Sequence, residues 1–267
     1  METVRAFALS IVDGATLQEK LRAPPASLND EDSGPPLVRP RPVRSPAIAL
    51  AHPSQRVAKL PSLGALGAPQ ARAECLSRFA HHELCAVELF AWALLAFPAL
   101  PPALRRGFVQ TLAEEQVHCQ LYLQRLAAHG VVFGVLPLSD YFWQHTPAIA
   151  SAHDGALAFL CAMGLTLEQA NLDFTLMYRD AFRAAGDEES ALVMQRVHDD
   201  EIGHVMLANT WLKKIAGRSD VEAYAAHAPF PFALARAKGR RFDMASRARA
   251  GLSPELISAV QTSRPYR

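Results

Sequence analysis

Residues 115–118 read Glu-Gln-Val-His, and residues 201–204 read Glu-Ile-Gly-His. In an α-helix a spacing of three returns to nearly the same face, so each Glu-x-x-His presents a carboxylate and an imidazole that can reach one cation. A single copy is weak evidence, because Glu and His are common on helices. Two copies on helices that the topology below makes counterparts are a pattern.

The helices around these motifs have readable ends. Helix one should start near Pro69, a residue favoured in the first turn, and stop at Pro98. Helix two should run from Pro101-Pro102 to Gly130, a left-handed cap. A longer connection, 131–152, holds Pro137 and Pro147 with Tyr141, Phe142 and Trp143, after which Asp154 is the expected N-cap of helix three. Gly186-Asp187 reads as a stop followed by a restart, and helix four should end near Ala216, before Gly217. Short links within each pair and a long crossover between the pairs predict an all-α fold: a ferritin-like antiparallel four-helix bundle. The expected organisation is an N-terminal arm over 1–69, the bundle over 70–216 and a basic C-terminal extension with helical content over 217–267.

The arm is marked by composition: ten of the 19 prolines fall between Pro24 and Pro69, together with the polar run Asn29-Asp30-Glu31-Asp32-Ser33-Gly34. The segment before it, about 5–22, has enough apolar residues for one or two short elements that dock on the body, with no readable role. The 27 basic and 26 acidic residues nearly cancel, so no global charge advertises nucleic acid or an anionic membrane. The N-terminus has neither a signal-peptide pattern nor a span, and the apolar run 84–97 is interrupted by Glu88, so a cytoplasmic, non-membrane protein is expected. Cys75, Cys85, Cys119 and Cys161 are isolated and read as core thiols.

A two-metal bundle needs one further glutamate from each remaining helix. Glu83 and Glu168 stand at equivalent distances before the two motifs. Apolar stripes surround all four glutamates, among them Leu76, Phe79 and Phe90 near Glu83, and Cys161, Leu165 and Leu172 near Glu168. Four carboxylates in such surroundings repel and are costly to desolvate, whereas two divalent ions neutralise them. The candidate metal ligands are therefore Glu83, Glu115, His118, Glu168, Glu201 and His204. Glu88 rivals Glu83, since Asp173 stands in the same relation to Glu168. Glu88, however, lies nearer the turn and is rotated by about 140°, so Glu88 and Asp173 are read as supporting polar groups. Asp200 and Glu114 are candidates to orient His118 and His204 through the second ring nitrogen. His198 is read as a hydrogen-bonded core or rim histidine, neither His81 nor His82 as a ligand, and Tyr122, Tyr178 and Trp211 as core.

This constellation resembles the ferritin-like superfamily of di-iron carboxylate proteins. Within it the chain is similar to a bacterial family of unassigned function, itself distantly similar to the tRNA hydroxylase MiaE. The closer resemblance is carried by His81-His82-Glu83-Leu84 with Glu88-Leu89, by Thr166-Leu167-Glu168-Gln169-Ala170-Asn171-Leu172-Asp173-Phe174, and by Asp199-Asp200-Glu201-Ile202-Gly203-His204-Val205. It covers about 70–216. It implies two iron ions, with manganese as the alternative at one or both positions, and O2 as a co-substrate. The expected function is an O2-dependent oxidase or hydroxylase acting on an unidentified small molecule. Rubredoxin-type cysteines are absent, which implies an external electron donor. A ferroxidase-type iron-binding protein and a non-enzymatic bundle are the alternatives. The basic run Arg236, Lys238, Arg240, Arg241, Arg247 and Arg249 is read as a solvated tail rather than a tRNA contact, because Phe242 is the only aromatic residue inside it.

Overall fold

The computed structural model describes residues 1–31, 33–52, 55 and 57–264. Asp32, Pro53 and the last three residues, which the sequence assigns to the arm and the extension, lie outside the described residues. The described chain is all-helical, with no strand beyond two isolated bridges. It divides into two compact units: Met1–Pro147 with Ala184–Val193, and Ala148–Arg183 with Met194–Arg267. The arm is thus grouped with the first long helices and the C-terminal extension with the last.

In the first unit, α1 (Val4–Val12) and α2 (Leu17–Lys20) precede the arm. Each starts at a threonine whose hydroxyl accepts from a first-turn amide, and Glu19 completes a capping box on Thr16. α1 buries Phe7, Ile11 and Val12 and packs on α3 (Pro69–Ala96). α3 begins with proline at its first position and ends before Pro98; α4 (Pro102–Ala128) also begins with proline and ends at Gly130, whose φ is 72°. α3 is long and apolar enough to cross a membrane, but its most apolar window is 94% buried, as a core helix requires. Arg105 donates to Leu94 O at 3.0 Å, Phe90 meets Phe108, Cys119 Sγ donates to Ala80 O, and Phe79 meets Tyr122. Numbers fall along one helix as they rise along the other, so α3 and α4 are antiparallel and Glu83 stands level with Glu115.

The arm is tied down at several points. Asp30 holds the buried Arg105 with contacts of 2.7–3.0 Å, Leu37 N donates to Leu95 O, and Trp92 Nε1 donates to Arg39 O. Gln116 Nε2 donates to the carbonyls of Lys20 and Arg22, at 2.8 Å each.

In the connection, α5 (Thr146–Ala150) follows a 3-10 turn at Trp143–His145. The second unit then opens into α6 (Gly155–Phe159), capped by Asp154 as expected, and continues as a π-helical stretch, Leu160–Glu168, into α7 (Gln169–Ala184). After the left-handed Gly186, α8 (Glu188–Ala216) starts behind Asp187, which accepts from Ser190 N and Ser190 Oγ. In the second unit Gly164 abuts Ala208, Asn171 reaches Glu201, and Thr175 meets His198. The pairing is again antiparallel and sets Glu168 level with His204. The extension folds into α9 (Asp220–His227), α10 (Met244–Arg249) and α11 (Pro254–Thr262). Ser253 caps α11, its Oγ accepting from Leu256 N, and Asp220 anchors the cap by accepting from Ser253 N and Oγ.

A methyl group at Gly164 would lie 2.1 Å from the Ala208 Cβ, whereas one at Gly203 meets nothing within 4 Å. Both residues are helical with negative φ. Gly164→Ala is therefore expected to lower stability by about 1–3 kcal/mol through overpacking. Gly203→Ala should leave it unchanged or raise it by up to about 1 kcal/mol. Urea midpoints of the two variants check this, and equal midpoints would contradict the close approach of α8 to the π-helical stretch.

Candidate metal centre

α3 and α4 bring together Glu83, Glu115 and His118, all buried, with one ligand atom from each within 4.8 Å of the other two. Within α4, His118 Nδ1 lies 3.5 Å from Glu115 Oε2, as the three-residue spacing dictates. The second unit repeats the arrangement. Glu168 at the end of the π-helical stretch and Glu201 and His204 of α8 are buried, with ligand atoms within the same 4.8 Å limit. His204 Nδ1 lies 3.2 Å from Glu201 Oε2, and Asn171 Nδ2 donates to Glu201 Oε1 at 3.0 Å. Two carboxylates and an imidazole this close, in apolar surroundings, are a donor set suited to a divalent transition metal.

The π-helical stretch has its own carbonyl accounting. Thr166 Oγ1 donates to Cys161 O at 2.8 Å and also meets Tyr224 OH at 2.7 Å. Glu168 is the last residue of this stretch, a rare type of helix that occurs mostly as single-turn bulges within α-helices and frequently at functional sites.

The other pair of repeated acids is neutralised by protein cations. Fully buried Glu88 receives Lys20 Nζ at 2.8 Å on one oxygen and Arg44 on both, with Trp143 Nε1 donating to Oε2 at 2.8 Å. Burial alone would raise the Glu88 pKa, but Arg44 and then Lys20 outweigh it and hold the carboxyl below its usual value of 4.5. Burial pushes the Lys20 pKa down, against the pull of Glu88. Asp173 is held by both terminal nitrogens of fully buried Arg247, at 2.7 and 2.9 Å, and by the amides of Gly239 and Asp243. Lys20 and Arg44 come from the α2 end and the arm, and Arg247 from α10 of the extension.

The histidines outside the triads are engaged elsewhere. His81 Nε2 lies 2.6 Å from Ser139 O, so that nitrogen carries the proton, and Nδ1 faces an Arg44 N–H at 3.5 Å. Burial, with Arg44 and His82, holds the His81 pKa well below its usual value. His82 packs against Phe142, and burial pushes its pKa to about 4. His198 lies between Thr175 Oγ1 and Ser246 Oγ, at 3.1 and 3.0 Å. Asp200 accepts from Arg196 at 2.7 Å and Glu114 from Gln110 at 3.0 Å, each one turn back on its own helix. Tyr122 and Tyr178 are buried, and Trp211 lies under Lys214 Nζ. The four cysteines are buried free thiols, and burial pushes Cys75 and Cys85 up to about 12.

The expectation of a solvated basic tail is corrected. Arg247 is fully buried on Asp173, Lys238 donates to Gln261 O and Ser263 O, and Arg241 pairs with Asp180. Arg247 and Arg241 thus tie the extension to α7 and Lys238 ties it to its own last turn, while Arg240, Arg241 and Arg249 remain exposed. Sequence reading also missed Lys20, Arg44, Trp143 and Asn171. The one available signal was the pair Glu88 and Asp173, two core acids that require counter-charges.

These features define an all-helical protein with two buried carboxylate–imidazole triads, each accompanied by a carboxylate clamped by cations from a chain end. The chain belongs to the family described as "Protein of unknown function (DUF455)", whose model matches residues 4–258. That match takes in the arm and most of the extension, the parts that supply Lys20, Arg44 and Arg247. No curated protein and no solved structure matches the chain.

Removing one member of a buried ionic group strands the others. Glu88→Gln is expected to cost about 3–5 kcal/mol, because Lys20 and Arg44 lose their counter-ion, whereas Lys20→Met, Arg44→Met and Glu88→Leu together should be neutral or stabilising by about 1–4 kcal/mol. The pH dependence has a definite sign. A folded-state carboxyl pKa below the unfolded 4.5 gives stability that is complete above that value and lost as pH falls through the lowered one. Denaturant midpoints across pH 3–7 should fall less steeply on acidification in the triple variant than in wild type, and identical slopes would refute the ionised pairing.

Proposed function

We propose that the chain is a di-metal carboxylate protein with a ferritin-like four-helix bundle, that its two ions are iron, and that it acts as an O2-dependent oxidase or hydroxylase. Glu83, Glu115 and His118 serve mainly one ion, and Glu168, Glu201 and His204 the other. The observation that carries the reading is the repetition of one donor set. Each compact unit supplies a glutamate and a Glu-x-x-His whose ligand atoms lie within 4.8 Å of one another in a buried setting. The clamped Glu88 and Asp173 show how this protein neutralises a buried acid with Lys or Arg, and a metal ion does the same for a pair of acids with an imidazole. The antiparallel pairs α3–α4 and α7–α8, joined by the long segment 129–154, support the bundle topology.

When bound, two iron ions, or manganese at one or both positions, would share the electrons needed to activate O2. The chain's own part is to fix ligand geometry: backbone spacing sets each histidine beside its motif glutamate, and Asn171 engages one oxygen of Glu201. The isolated buried thiols favour an external electron donor. The internal use of Arg241, Arg247 and Lys238 weighs against a tRNA partner bound through that stretch. An iron-storage role fits less well, since storage needs a shell of compact subunits and this chain carries a long docked arm and extension.

Protein purified without chelator is expected to carry about two transition-metal ions per chain, and its reduced form to consume O2; many irons per chain would favour storage instead. His118→Ala and His204→Ala should each retain about one ion or fewer with helix content intact. Two ions retained in both variants would overturn the assignment, and a metal-free wild-type chain with no uptake would leave the non-enzymatic bundle.

A further inference from the structure

Asn171 stands one turn after Glu168, and its side-chain amide reaches across to α8, donating Nδ2–H to Glu201 Oε1 at 3.0 Å. The opposite oxygen, Oε2, faces His204 Nδ1 at 3.2 Å. Both oxygens of one candidate ligand are thereby directed, one by an amide and one toward the imidazole of its motif. The turn bearing Asn171 is itself anchored. Thr175 Oγ1 donates to Asn171 O at 2.5 Å and lies 3.1 Å from His198 Nδ1. His198 belongs to α8 one turn before Glu201, so α7 and α8 are also fastened together one turn away from the Asn171–Glu201 contact. In the internal repeat the residue three after Glu83 is Ala86, which has no amide to offer.

Resting on the di-metal reading, we propose that Asn171 is a positioning residue for the ion served by Glu168, Glu201 and His204. Its amide fixes the rotation of the Glu201 carboxylate, so that the ion meets a preset oxygen instead of a side chain that must lose rotamer freedom on binding. Removing the amide weakens that ion, and the place beside Glu83 that the repeat makes equivalent is an alanine with no side-chain donor.

The test is an anaerobic Fe(II) titration of the metal-free full-length chain carrying Asn171→Leu, which keeps a side chain of similar size without a donor, with Asn171→Ala as the fallback should leucine perturb packing. In a His118→Ala background, where the ion of the second unit remains, affinity should fall about 10–100-fold. The helix content of the metal-free variant should stay that of its parent, so that a lost ligand is told apart from a lost fold. Unchanged affinity in the His118→Ala background overturns the role of Asn171 while leaving the di-metal reading intact. A wild-type chain that takes up no Fe(II) overturns that reading and this role with it.

Discussion

Carboxylates inside a helical core must be met by positive charge, and much of this architecture follows from that constraint. An ionised carboxylate in an apolar interior costs several kcal/mol unless paired and hydrogen-bonded. The chain buries Glu83, Glu88, Glu115, Glu168, Asp173 and Glu201 on its long helices. For Glu88 and Asp173 the compensation is visible as Lys20 with Arg44, and as Arg247 with two backbone amides. The proline-rich arm and the C-terminal extension thus carry into the core the charges that the long helices lack.

The internal repeat shows how tightly chemistry, more than structural detail, has been kept. Both halves hold an acid five residues beyond a glutamate that approaches a Glu-x-x-His. The partners differ: two side-chain cations and an indole on Glu88, one bidentate guanidinium and main-chain donors on Asp173. A planar guanidinium matches both oxygens of a carboxylate at once, and each half uses one in that way, Arg44 on Glu88 and Arg247 on Asp173.

Much of the local structure was legible because it depends on local rules. Pro69, Pro98, Pro102, Gly130, Asp154 and Gly186 stop and start helices through their own backbone chemistry, and a spacing of three fixes each Glu beside its His. The axial level of Glu83 and Glu115 followed from equal distances to the turn. What stayed hidden depends on contacts between distant segments. Nothing near Lys20 or Arg44 says that the arm folds back onto α3, and Arg247 sits in a run that reads as a solvated basic tail. The π-helical stretch before Glu168 has no periodic signature, since its residues are apolar on every side. Asn171 looks like any helix-surface amide until α8 is placed opposite.

The sequence positions of the neutralising residues impose an order on biosynthesis. When α3 emerges, Lys20 and Arg44 already exist, 68 and 44 residues before Glu88. Asp173 waits 74 residues for Arg247. During vectorial synthesis the first helix pair can close its ionic core at once, while the second must wait for its counter-charge until α10 has been made. A nascent chain halted between α8 and α10 would therefore carry one finished half and one that exposes its interior to chaperones and proteases.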